Sequence, residues 1–153
     1  MALARQLPSS VELVVAGAGQ SESYPPPEFR ERSNVTLLEG VPHDKMPDFY
    51  RSVDVLLETH TLDIFGLNVI EAMACGRPVI RAKGGYRYPV VDGVTGFLVD
   101  PSPESFAGKI TDITKNPQGL RDMGLKARSL IEKEFSSEKM CNRIKAIYEE
   151  VAG

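Results

Sequence analysis

Short, almost wholly apolar runs alternate along this chain with stretches of helical period, and that alternation leaves few architectures open. Val11 to Ala16 is one such run, ending at Gly17-Ala18-Gly19, and Val35 to Leu38 is a second, ending at Gly40. Val53 to Leu57, Val79-Ile80 and Gly96 to Val99 supply a third, fourth and fifth. Continuous apolarity over so few residues marks strands buried on both faces, the condition of a parallel sheet. Between the runs, Asp44 to Ser52 reads as a short helix with Pro47 in its first turn, where a missing N–H costs little. Phe65 to Cys75 reads as another, with Gly66, Val69, Ile70 and Met73 along one face. Gly76 suits its left-handed cap and Pro78 forbids continuation. The last third is helical: Phe106, Ile110 and Ile113 share a face, as do Leu120, Met123, Ala127 and Ile131, and then Met140, Ile144, Ile147 and Val151. Gln20 to Asn34, with Pro25, Pro26 and Pro27, reads as a loop carrying at most a brief helix around Glu28 to Arg32. The pattern predicts an α/β fold, a parallel sheet with helices on both faces and a helical C-terminal third.

Composition narrows the function classes. The 153 residues suit one domain over 1–153. Eighteen basic against 21 acidic side chains give −3, which argues against a nucleic-acid surface. No apolar run approaches the roughly 18 residues a membrane span requires. Met1 to Leu7 lacks the apolar core of a signal peptide. Cys75 and Cys141 have no metal-ligand spacing and read as reduced thiols, so a cytoplasmic location is expected.

Several familiar chemistries are excluded by spacing. A dinucleotide fingerprint begun at Gly17 would place its third glycine at position 22, which is Glu22. Gly17 then marks either a tight turn or a close approach of a ligand to the backbone. No GxxxxGK[ST] loop and no GxSxG elbow occur. His43 and His60 are isolated and read as loop or surface residues. Arg77, Arg81, Lys83 and Arg87, around the fourth strand, read as a solvated basic rim.

The informative segment runs from Asp63 through Glu71 to Ile80. Its two carboxylates flank the start and second turn of a helix, about 12 Å apart at ~1.5 Å per helical residue. Between them lie the free N–H groups of the first turn, a ready diphosphate site, with Gly66 allowing close approach. Asp63 as a helix cap and Glu71 as a solvated side chain remains the alternative.

This segment resembles the E-x7-E signature of retaining glycosyltransferases of the GT-B fold, family 4 or group 1. FGLNVIEAMACGRPVI is close to the family's most characteristic run. Met46-Pro-Asp-Phe-Tyr-Arg-Ser-Val-Asp54-Val, Gly84-Gly85, and Val91-Asp-Gly-Val-Thr-Gly-Phe-Leu-Val99 resemble its other motifs in order. Phe135-Ser-Ser and Tyr148 resemble its closing helix, so the likeness covers nearly the whole chain.

The resemblance implies a Rossmann-like C-terminal domain that binds a nucleoside-diphosphate sugar. Its first strand, with an arginine and lysine that neutralise the diphosphate, and the N-terminal acceptor domain are expected to be missing. Carried over by position, Glu71 would bind the donor ribose, and Asp63, standing for the family's first glutamate, would be the catalytic contact to the donor sugar. Phe65, Gly66 and Leu67 would offer backbone N–H groups to the distal phosphate and sugar. Gly17 and the turn around Val41 would border the base. Tyr88 replaces a glutamate common in the family. No metal or other cofactor is expected, and the acceptor, a glycan, lipid or small molecule, would be held by the missing domain. The full-length enzyme could then lie peripheral to a membrane. The competing expectation is a non-catalytic nucleotide-sugar-binding module. A flavodoxin-like regulatory domain lacks the acidic cluster at the end of its first strand.

Overall fold

A computed structural model describes residues 2–17, 32–62 and 65–152 of the chain. The elements run α1 (Ala2–Gln6), β1 (Leu13–Ala16), β2 (Val35–Leu38), a 3-10 turn (His43–Lys45), α2 (Met46–Ser52) and β3 (Leu56–Glu58). They continue with α3 (Leu67–Ala74), β4 (Val79–Ala82), β5 (Gly96–Val99), α4 (Pro103–Ile113), α5 (Pro117–Glu134) and α6 (Ser137–Ala152). The expected brief helix around Glu28 to Arg32 falls almost wholly outside the described residues.

Every strand pairing is parallel, as the continuous apolar runs require. β1 pairs with β2 from Leu13↔Val35 to Ala16↔Leu38. A second sheet has the order β3-β4-β5, with Leu56 opposite Val79 and Val79 opposite Gly96. All four residues of β4 are buried, so the central strand is covered on both faces. Gly96 is obligatory in β5, since a Cβ there would lie 2.3 Å from the Val79 carbonyl oxygen.

Helices close both faces. One cluster gathers Ile80, Ala82 and Val99 with Phe106, Ala107 and Ile110 of α4, joined by Leu13 of β1 and Leu57 of β3. The other joins Val79 and Val90 to Val69 and Met73 of α3 and Ala127 and Ile131 of α5. Val69 and Met73 have no exposed surface, and truncating such a side chain to alanine costs about 2–5 kcal/mol.

Two readings need correction. The third strand lies at Leu56–Glu58 rather than at Val53 to Leu57. α2 extends through Ser52, so Val53 is only its extended cap residue, and pairing starts at Leu56↔Val79. The site helix begins at Leu67, because Gly66 is left-handed (φ +69°) and caps the helix instead of lying on its face. The expected face of α6, Met140, Ile144, Ile147 and Val151, is present, and each of these residues is 45–81% exposed.

Candidate donor site

In parallel α/β sheets the ligand crevice opens at the C-terminal ends of the strands, and the candidate residues gather there. Gly17 follows β1 with φ +87°, and its N–H donates to the Leu38 carbonyl at 3.0 Å, carrying the β1–β2 ladder one step further. Val41, half-buried, follows β2 at the same edge. Phe65 and Gly66 enter α3 from the end of β3. Asp63 lies outside the described residues.

The N-terminus of α3 differs from those of the later helices. Ser102 Oγ accepts from the Ser105 N–H at 3.1 Å to cap α4, and Asn116 Oδ1 accepts from the Gly119 N–H at 2.9 Å to cap α5. Gly66 has no side chain, and no side-chain cap serves α3. Its first N–H groups, Leu67 among them, have no intrahelical acceptor and carry the positive end of the helix dipole. The far end of α3 is closed by its own backbone. Gly76 (φ +74°) donates to the Met73 carbonyl and Arg77 to the Ala72 carbonyl, both at 2.9 Å, a Schellman stop before Pro78.

Glu71 lies one turn into α3 and is half-buried. The Tyr50 hydroxyl donates to its Oε2 at 2.9 Å, tying α2 to α3. Tyr50 is 3% exposed. Burial, then the hydrogen bond and charge of Glu71, push its phenol well above the ordinary range. Glu71 is therefore an oriented side chain rather than a solvated one, with Oε1 free of the Tyr50 bond.

A second carboxylate escaped the sequence analysis. Glu58, the last residue of β3, is 5% exposed. Its Oε1 accepts from the His60 backbone N–H at 3.0 Å and lies 2.7 Å from His60 Nδ1, while Oε2 accepts from Asn68 Nδ2 at 2.7 Å. Burial acts to raise the Glu58 carboxyl, but the hydrogen bonds from Asn68 and His60 together outweigh it and hold the group below the usual carboxylate range. His60 is thus a partnered residue that still lies in an exposed loop, as expected. A polar residue at a strand end was the available signal.

The basic cluster also needs correction. Arg81 is 1% exposed and stands beside Glu58 in the β3–β4 register, so it belongs to the interior and not to a rim. Arg77 donates to the Arg51 carbonyl at 2.6 Å, and Lys83 pairs with Asp100 at 3.0 Å. Lys83, in an exposed pair, and Arg87, exposed in the loop after β4, retain the expected character. Beside Arg87, Tyr86 and Tyr88 join Phe65 and Phe135 in a chain of ring contacts with centroids 5.8–6.5 Å apart. The Phe65 ring is thereby fixed at the mouth, which leaves its backbone beside Gly66.

Among the described residues no group of three or more His, Cys, Asp or Glu side chains could hold a metal ion. None of the described helices is long and apolar enough to cross a membrane.

Known proteins similar to this chain identify its fold family. The family model described as glycosyl transferases group 1 matches residues 1–130. Trehalose synthase of Pyrococcus horikoshii is 38% identical over 120 residues, covering 78% of this chain and 29% of its own. Sucrose-phosphate synthase from Thermosynechococcus elongatus matches with a TM-score of 0.74 and 29% identity, over 81% of this chain and 32% of that one. HepE from Anabaena, solved in complex with UDP, matches at 0.85 and 25% identity, over 97% and 43%. The chain therefore spans less than half the length of each of these proteins. By its motifs, its parallel sheets and this match over most of its length, the chain belongs to the group 1 glycosyl transferases.

Proposed function

We propose that this chain is the donor-binding domain of a retaining hexosyltransferase, holding a nucleoside-diphosphate sugar at the N-terminus of α3. The observation that carries the reading is the uncapped first turn behind left-handed Gly66, with oriented Glu71 one turn further on. The backbone N–H groups at Phe65, Gly66 and Leu67 take the distal phosphate. Glu71 Oε1 accepts from the ribose hydroxyls, Gly17 and Val41 border the base, and Asp63 is the catalytic contact to hydroxyls of the donor sugar. A relative of this fold in complex with UDP supports the ligand class.

In the transfer, the bond from the anomeric carbon to the diphosphate breaks and a bond to the acceptor oxygen forms on the same face. The acceptor proton leaves with the departing diphosphate. Negative charge grows on that diphosphate, and pre-aimed N–H dipoles are the lever that stabilises it. A second domain supplies the acceptor, which fits the greater length of the relatives. The two free cysteines suit a reducing, cytoplasmic compartment.

Calorimetric titration with UDP, ADP and GDP tests the donor site. Binding in the high micromolar to millimolar range is expected for one of them, as an order of magnitude; binding of none overturns the reading. The chain alone, incubated with radiolabelled nucleotide sugars and a panel of acceptors, should give no product. Reactants that are not held in attack geometry forfeit many orders of magnitude in rate, and robust turnover would overturn the two-domain reading. Asp63, a methylene shorter than the family's glutamate, favours a second reading, a nucleotide-sugar-binding module without turnover. Lack of turnover in a longer protein carrying both domains would select it.

A further inference from the structure

We propose that His60, held by Glu58, is a second contact to the distal phosphate of the donor, made through Nε2. The inference rests on the donor-site reading above and adds a residue to it. Its basis is a carboxylate buried where an unpaired charge would be costly, yet fully occupied by partners at the mouth. Glu58 Oε1 takes both the backbone N–H and Nδ1 of His60, at 3.0 and 2.7 Å, and Oε2 takes Asn68 at 2.7 Å.

Three consequences follow from that geometry. An ionised carboxylate only accepts, so His60 Nδ1 carries a proton and its other nitrogen points away from Glu58. The His60 side chain is 67% exposed while that of Glu58 is 6% exposed, so the ring stands between the buried charge and the solvent. Asn68 is the second residue of α3, so one carboxylate tethers both the imidazole and the helix turn assigned to the phosphate. Packing fixes the loop as well: Gly84 lies against Thr61, where a Cβ would meet the Thr61 carbonyl oxygen at 2.9 Å. A hydrogen bond from Nε2 to the phosphate requires the doubly protonated ring, and the Glu58–His60–phosphate row would then alternate in charge. A carboxylate behind a histidine fixes the ring's orientation and supports its cationic state.

The test compares UDP with UMP, ADP with AMP, and GDP with GMP on the whole chain and on His60→Asn, using calorimetry. Asparagine retains a donor near the Nδ1 position and removes Nε2. Loss of a charged hydrogen bond predicts a roughly ten- to hundredfold weaker diphosphate complex, with monophosphate affinity unchanged. Equal diphosphate affinity in parent and variant overturns this inference alone, as does an equal loss for mono- and diphosphate. Binding of no nucleotide by the parent overturns the donor site and the inference together. If His60→Asn fails to fold, the parent still decides. The Nε2 resonance of 15N-labelled His60 should move on adding the diphosphate and not the monophosphate, and a stationary resonance overturns the contact.

Discussion

The Tyr50 hydroxyl and Glu71 Oε2, 2.9 Å apart and 21 residues apart in sequence, join the helix that follows β2 to the helix that follows β3. The proposed ribose contact, Glu71, is thus positioned by a buried phenol. Tyr50→Phe keeps the ring and removes only the donor. A hydrogen bond to a charged group contributes about 1.5–3 kcal/mol, so nucleotide affinity should fall several-fold. Calorimetry beside thermal unfolding checks this; unchanged affinity would show that Glu71 needs no such partner.

Glu71 itself should separate binding from folding only in one variant. Glu71→Ala strands the buried Tyr50 hydroxyl and should lose both nucleotide affinity and about 1–3 kcal/mol of stability. Glu71→Gln keeps an acceptor for Tyr50, so it should melt near the parent while binding more weakly. A Glu71→Gln chain that binds like the parent would end the role of Glu71 as a ribose ligand.

The raised Tyr50 phenol has a signed pH consequence. The folded state holds this proton more tightly than the unfolded chain, whose phenol titrates near 10. The contribution is therefore complete below that pH and is lost as pH rises through the range above it. Melts from pH 8 to 11 should show a steeper alkaline decline for the parent than for Tyr50→Phe.

Gly66→Ala should destabilise and also weaken nucleotide binding. The left-handed backbone costs a non-glycine residue about 1–2 kcal/mol, and the new Cβ would lie 3.3 Å from both Asn68 Oδ1 and Val69 Cγ2. For a chain of this size the melting temperature should drop about 2–4 °C per kcal/mol. Differential scanning calorimetry measures it, and an unchanged melt would contradict the left-handed cap.

Local signals made much of this legible. Gly76 and Pro78 announce the end of α3 within four residues of sequence, and the Schellman bonds appear where they indicate. The prolines at the starts of α2, α4 and α5 mark those helices as plainly. What escaped depends on register or on packing between distant segments. Glu58 meets His60 locally, but only burial by the sheet turns that pair from a surface contact into an anchored one. Arg81 reads as a surface cation until β4 is placed between β3 and β5. The apolar period of α6 was visible, whereas its exposure could not be read from a single helix.

The two ends of α3 are secured by different means. At its foot, Gly124 of α5 comes so close that a Cβ there would lie 2.1 Å from the Gly76 carbonyl oxygen, backbone against backbone. Gly124→Ala should therefore cost about 1–3 kcal/mol or more by overpacking, seen as an earlier melt with nucleotide affinity per folded molecule retained. At its head the helix is secured by Asn68, Glu58 and His60, polar side chains that exchange without moving the backbone. Rigidity and selectivity are thus housed a helix-length apart. If the proposed donor site holds, a library confined to residues 59–62, leaving Glu58 and Gly66 in place, should change ligand preference before it changes the fold.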